Sequence, residues 1–322
     1  MQIEGKTFLV TGGAGLIGSH IADQLIDFGA GKVVVLDNML RGREANLTQA
    51  LKSNRLELVV GDLRDWELLS RLVSECDGLF HMAALRIKHC REDPELAVET
   101  MFSIPNRMFL TAVNCGVERI VAASSSSIYG QAETFPTNET HHPYADTTLY
   151  GAAKLAAEGM LRALRTSDGL SYATMRFFNV YGPRMDIHGV YTEVMVRWME
   201  RIAEGAPPLI FGDGSDSMDF TYVGDAAGAC IAAMRNDEHH GAYNVGTGVS
   251  TDLTELCARL LDAMDSDLKP EFCNVDIEND VRYRLADTAK IKADFLFETQ
   301  INLAQGLREL VTWWRQETAA TL

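Results

Sequence analysis

The stretch that most limits what this chain can fold into lies near its start. Thr7-Phe-Leu-Val-Thr11 is a short apolar run, Gly12-Gly-Ala-Gly-Leu-Ile-Gly18 follows it, and apolar residues then recur at helical spacing through Ile21, Leu25 and Phe28. Strand, glycine turn, helix is the context in which such a loop holds a pyrophosphate. Glycines let the backbone turn tightly and approach the phosphates, and the helix start offers unsatisfied N–H groups and the positive end of a dipole. Gly12, Gly15 and Gly18, with Leu16 and Ile17 opening the helix, are therefore expected to bind a dinucleotide. Lys32-Val-Val-Val-Leu36 reads as a buried strand and ends at Asp37, 19 residues past Gly18. A carboxylate there accepts the ribose hydroxyls and repels a 2′-phosphate, which favours NAD over NADP. Asn38 and Arg41, in the loop that follows, are expected beside it.

The alternation continues. Leu56–Val60 reads as a strand before Asp62 and Leu63, and a helix is expected from Asp65 to Cys76. Gly78–Met82 is the next strand and ends at Ala83-Ala84, where small residues leave room for a ligand. A long helical pattern covers Pro94 to Cys115. Arg119–Ala123 is a strand that stops at Ser124-Ser-Ser-Ser127. Repeated βα units predict a Rossmann-type α/β fold, a doubly wound parallel sheet with helices on both faces. Ligands on such sheets sit beyond the strand C-termini, where the glycine loop, Asp37, Asp62, Met82, Ala83 and the serines all fall. Past Pro183 the alternation fades: Gly189–Gly205 reads as a helix, Pro207–Gly214 as a strand and turn, and Leu303–Trp314 as an amphipathic helix in which Trp313 and Trp314 pack.

Composition bounds the rest. With 322 residues, 47% of them hydrophobic, the chain can bury one large core or two ordinary ones. A net charge of −16 argues against nucleic acid and anionic membrane as partners. No apolar run is long enough to span a bilayer. The six scattered cysteines read as reduced core residues of a cytoplasmic protein, and His141, His142, His239 and His240 lie in polar loops without converging acids, so no metal site is expected.

Tyr150 and Lys154 stand four apart, on one face if that segment is helical. A neighbouring ammonium favours the phenolate, which predicts a Tyr150 pKa below its usual value of about 10 and a role as proton acceptor and donor. One hydroxyl of the serine cluster would share the oxygen that Tyr150 deprotonates.

Taken together, Thr11–Gly18, Asp37-Asn38, Asp62-Leu63, His81-Met-Ala-Ala84, Ser124–Gly130, Tyr150-Gly-Ala-Ala-Lys154 and Arg176-Phe-Phe-Asn-Val-Tyr-Gly-Pro183 resemble the extended short-chain dehydrogenase/reductase family, and within it the NAD-dependent nucleotide-sugar epimerases and dehydratases. The resemblance implies a Rossmann domain over residues 1–178 and a smaller α/β substrate domain over 179–322, with about 219–245 packing back on the first. It implies Ser125, Tyr150 and Lys154 as the catalytic set and Arg86 and Phe178 as further NAD contacts. The substrate would be a nucleotide-diphospho-sugar held by Ser125, Ser126, Asn179, Phe211 and Arg282. It further implies a homodimer through the Pro94–Cys115 and Thr148–Arg165 helices. The matching activity is C4 epimerisation through a 4-keto sugar. A 4,6-dehydratase of this family carries Asp-Glu where Ser126 and Ser127 stand, and a decarboxylase carries Glu at Ser127. From another class, a nucleotide-sugar sensor would keep the fold without the chemistry. Two departures stand out. Met218 replaces an arginine that clamps the diphosphate, leaving Arg282 or Arg184 to supply that charge, and Thr100 replaces an asparagine.

Overall fold

The computed structural model describes residues 1–187, 193–273 and 281–319. Its first half is β1 (Thr7–Thr11), α1 (Leu16–Asp27), β2 (Lys32–Asp37), β3 (Leu56–Val60), α2 (Trp66–Ser74), β4 (Gly78–His81), α3 (Ile87–Glu92), α4 (Pro94–Val98), α5 (Ile104–Cys115), β5 (Arg119–Ser125), α6 (Leu149–Asp168) and β6 (Tyr172–Phe177). The second half is β7 (Val180–Tyr181), α7 (Val194–Ala203), β8 (Leu209–Phe211), β9 (Ser217–Met218), β10 (Thr221–Tyr222), α8 (Val223–Arg235), β11 (Gly241–Val245), β12 (Thr251–Asp252), α9 (Leu253–Ala263), β13 (Glu271–Cys273), α10 (Ala289–Phe295) and α11 (Leu303–Ala319).

Among the described residues the central sheet has seven strands in the order β11-β6-β5-β4-β1-β2-β3, every pair parallel. The order turns outward in both directions from β1, so a crevice opens at its C-terminal edge, beside β4. The expected doubly wound sheet is present, with two strands that the alternation did not foresee: β6, and β11, which lies in the stretch that the resemblance implied would pack back. β11 reaches the sheet because the chain returns from its C-terminal half: α8 packs on one sheet face with α1, and β11 then pairs with β6. The other face carries α2, α5 and α6. A third cluster around Trp198, Leu256, Leu260 and Leu310 joins α7, α9 and α11, and Trp314 is buried in it.

Local chemistry explains the element ends. Asp65 caps α2 by accepting from the Leu68 N–H at 3.1 Å, and Thr148 caps α6 by accepting from Gly151 N–H at 3.0 Å. Glycine 169 closes α6 in the left-handed conformation, φ 75°. The expected Pro94–Cys115 helix is interrupted by a π-turn at Glu99–Ser103. Pro105 has no N–H to give the Met101 carbonyl four residues back, so the ladder widens there. Phe28 lies past the end of α1 and is 45% exposed, so it does not continue the buried stripe. Of the expected Gly189–Gly205 helix, 194–203 is helical, and 188–192 lie outside the described residues. Of the six free cysteines, Cys115 is exposed rather than core. No described helix is long and apolar enough to cross a membrane.

Arg119 fastens the returning segment. It is fully buried at the start of β5 and donates to the Ala233 carbonyl on α8 at 2.8 Å, the His239 carbonyl at 2.9 Å and Ser171 Oγ at 2.5 Å. Burial pushes its pKa down to about 10. Arg119→Met should leave two buried carbonyls unsatisfied and lower unfolding free energy by about 2–4 kcal/mol in urea titration.

Candidate active site

The glycine loop sits against the end of β4. A Cβ on Gly12, whose φ is +67°, would come within 2.6 Å of the Ala83 N, and one on Gly18 within 2.4 Å of the Gly12 carbonyl. Both positions therefore exclude any side chain. Gly15 is the N-cap of α1 and no side chain caps that turn, which leaves the first N–H groups for a phosphate. Asp37 closes the other side of the loop. Its carboxylate accepts from Ala14 N–H at 3.0 Å and Met39 N–H at 2.9 Å. Two of a carboxylate's roughly four acceptor positions remain for ribose hydroxyls. Beyond β3, Asp62 is gripped by Arg64 at 2.9 and 3.0 Å and by Asn38 at 3.2 Å, which brings its pKa down to about 2. These residues fit a dinucleotide with a free 2′-hydroxyl. Leu63 is buried in the core, so only its backbone can face the crevice. Met82 and Ala83 are half-buried at the strand end, as is Ala84.

The catalytic candidates come together at the ends of β5 and α6. The Ser125 hydroxyl acts on the Tyr150 phenol, holding back the rise in its pKa, and accepts from Ser127 N–H at 3.1 Å. Lys154, one turn along α6, puts Nζ 5.7 Å from the Tyr150 ring centroid and donates to the Ala123 carbonyl at 2.8 Å. It is 5% exposed. Desolvation pulls its pKa down to about 8, against the opposing pull of Cys90 and Glu158.

Tyr150 corrects one expectation. Burial raises its pKa, against the opposing pull of Ser125, Arg41 and Arg284. In so dry a site desolvation of the phenolate outweighs the neighbouring cations.

A turn further along α6 lies an anchor that the sequence reading missed. Glu158, 4% exposed, takes a bidentate ion pair from Arg176 on β6 at 2.9 and 2.6 Å and a hydrogen bond from Ser124 at 2.5 Å. Arg176 also donates to Tyr129 Oη at 2.8 Å, and Tyr129 in turn donates to Asn244 on β11 at 2.7 Å. Glu158 repeats the four-residue spacing of Tyr150 and Lys154, a signal that was available.

Other expected contacts fall in different places. Phe178 is 1% exposed and packs among Ile128, Tyr129 and Ala286, so its ring is core and does not line the crevice. Arg184 pairs with Asp23 on α1 at 2.6 Å, far from the serines in the chain's wiring, and does not supply the missing clamp. Arg86 faces Asp186 at 3.6 Å and Glu193 at 3.8 Å, and Arg41 feels the same two acids. Asn179 follows β6, and its carbonyl accepts from Thr221 N–H at 3.2 Å. Phe211 is 40% exposed, which rules out a plain core role. Met218 packs on the third cluster, and Arg282 is exposed near Asp213. The cation that faces the serines is Arg284, which the sequence reading passed over: its Nη1 donates to Ser126 Oγ at 3.3 Å.

The family model for the NAD dependent epimerase/dehydratase family matches residues 8–246, and the chain belongs to that family. It is similar to a UDP-glucose 4-epimerase of Mycolicibacterium smegmatis, 33% identical over 313 residues, 96% of this chain and 99% of the relative. It also resembles a UDP-N-acetyl-alpha-D-glucosaminuronate decarboxylase of Bacillus cytotoxicus, 30% identical over 97% of this chain and 98% of the relative. Among solved structures it superposes on a UDP-N-acetylglucosamine 4-epimerase from Methanobrevibacter ruminantium, in complex with UDP-N-acetylmuramic acid. The TM-score is 0.91, with 30% identity over 98% of this chain and 99% of that one.

The Lys154 shift has a stability consequence. The unfolded chain keeps this proton to about pH 10.5, the folded one only to about 8. Folding therefore releases it between those values, and the stability from this group is full above 10.5 and lost as pH falls through 8. In denaturant titrations across that window, the unfolding free energy of the wild type should rise with pH relative to Lys154→Met.

Proposed function

We propose that this protein interconverts the C4 epimers of a nucleotide-diphospho-sugar, a UDP-sugar by analogy with its relatives, using tightly held NAD. The observation that carries the reading is the assembled Ser125–Tyr150–Lys154 set at the mouth of the glycine-loop crevice. NAD supplies a reversible hydride acceptor at C4. Gly12, Gly15, Gly18, the start of α1 and Asp37 would hold it.

The chain's own groups handle the proton and the charge. Tyr150 Oη takes the proton of the sugar 4-hydroxyl and later returns it, and burial, which raises its pKa, makes its phenolate the stronger base for the first step. Ser125, which acts on that phenol, donates to the same sugar oxygen and stabilises the charge that builds there. Lys154 is fixed by one donor to the Ala123 carbonyl, which leaves two for a ribose hydroxyl. Proton and electron pair both return, so the sugar changes configuration with no net redox. Ser126 and Ser127 offer hydroxyls where water elimination across C5–C6 needs an acid, which favours epimerisation over the family's dehydratase chemistry.

Tyr150→Phe should lower kcat by about 10²–10⁴-fold, the usual worth of a general acid–base, while circular dichroism and bound NAD stay unchanged. The assay is NMR of the sugar H1 and H4 signals with UDP-linked sugars. Undiminished turnover in that variant would remove the proposal. The inferred homodimer uses the outer faces of α4 and α5, where Val98 is 46% and Leu110 43% exposed. Light scattering should give twice the chain mass for the wild type and the chain mass for Leu110→Glu.

A further inference from the structure

Arg284 is the part of the site that C4 epimerisation does not use. The segment that carries it is clamped on both sides by backbone pairing. Ser217 N–H donates to the Arg282 carbonyl at 2.8 Å and Arg284 N–H to the Ser217 carbonyl at 3.0 Å. On the other side, Thr137 N–H donates to the Leu285 carbonyl at 2.8 Å and Asp287 N–H to the Thr137 carbonyl at 2.9 Å. Asp219, itself fully buried, adds a bond from Ala286 N–H at 3.3 Å. The backbone under Arg284 is thus held rigidly before any ligand arrives.

The side chain runs into the pocket. Nη1 reaches Ser126 Oγ, one residue from the Ser125 hydroxyl that acts on the Tyr150 phenol. The buried Nε has no hydrogen-bond partner. Asp146 and Tyr150 act on the guanidinium through space without forming an ion pair to it, and burial pushes its pKa down. An unsatisfied donor on a desolvated cation is costly unless an anion completes it. Neutral sugar hydroxyls would leave the charge uncompensated, whereas a carboxylate matches the fork of Nε and an Nη in two parallel bonds.

The diphosphate is the other anion available, but the position argues against it. Arg282, two residues earlier, lies instead near Asp213, at the turn that follows the exposed Phe211. Of the two arginines on the clamped segment, Arg282 is exposed, whereas Arg284 stands beside Ser126 and Tyr150, where the sugar ring meets it.

Building on the epimerase reading above, we infer that the sugar carries a carboxylate, and that Arg284 binds it through Nε and Nη and selects acid sugars over neutral ones. Arg284 is a specificity residue; it moves no proton in the reaction.

The test compares UDP-glucuronate with UDP-glucose, by product NMR for kcat/KM and by calorimetry for Kd, with UDP alone as the third ligand. The wild type should prefer the acid by about 10²-fold or more, the scale of a charge-assisted pair lost from a buried site. Arg284→Gln should abolish that preference, Arg284→Lys should keep part of it, and neither should weaken UDP more than about threefold. Equal or better handling of UDP-glucose by the wild type would overturn the inference while leaving the epimerase reading intact. A parallel loss of UDP affinity in both variants would also overturn it, by assigning Arg284 to the diphosphate. Carbon dioxide release in place of a 4-epimer would instead overturn the epimerase reading, while an intact acid preference in binding still upheld the role of Arg284. Wild-type binding alone decides the question if the variants fail to fold.

Discussion

One buried ion pair positions the helix that carries Tyr150 and Lys154. Arg176 and Glu158 meet in bidentate fashion between β6 and α6, in a place almost without solvent. A pair of this kind can cost as much in desolvation as it returns in attraction, and removing one partner strands the other at about 3–5 kcal/mol. Its value here is positional. Glu158 is on the same face of α6 as Tyr150 and Lys154, so holding it against β6 sets the rotation and the height of the whole helix. Ser124 bonds the same carboxylate, and the next residue is Ser125. Hydroxyl and phenol are thereby brought to each other from two elements by a single charged contact that both share.

Around that anchor the site is dry and cationic inside an acidic protein. Burial raises Tyr150 and lowers Lys154, so two values that lie close together in free residues move apart, each away from its charged form. The chain's net charge is −16, yet Arg41, Lys154 and Arg284 all bear on the crevice around Tyr150. A focused positive patch on an acidic surface draws in an anionic donor and directs it to one place.

The first five strands, the glycine loop and Asp37 were legible because each is a local device. A buried parallel strand needs a continuous apolar run, a pyrophosphate loop needs glycines, and both leave their mark within ten residues. Ser125, Tyr150 and Lys154 were legible for a related reason: the resemblance names them, and the structure brings them together. What could not be read was long-range. β11 pairs with β6 only after the chain has travelled through α7 and β8 and come back along α8. The resemblance implied Phe178 as a cofactor contact, but its side chain packs with Tyr129 and Ala286. Arg184 looked like a spare cation until Asp23, 161 residues earlier, took it.

Local pattern by itself therefore pointed to the class of fold, the cofactor crevice and the Tyr150–Lys154 pair, because side-chain period and backbone steric limits act over a few residues, while the resemblance supplied Ser125 as the candidate hydroxyl. Tertiary structure alone decided which way the acidities move, since that depends on how much water the completed fold excludes. It also decided which arginine meets the serines. Arg282 and Arg284 are indistinguishable as letters, and only the clamp between Ser217 and Thr137 turns the second of them into the pocket.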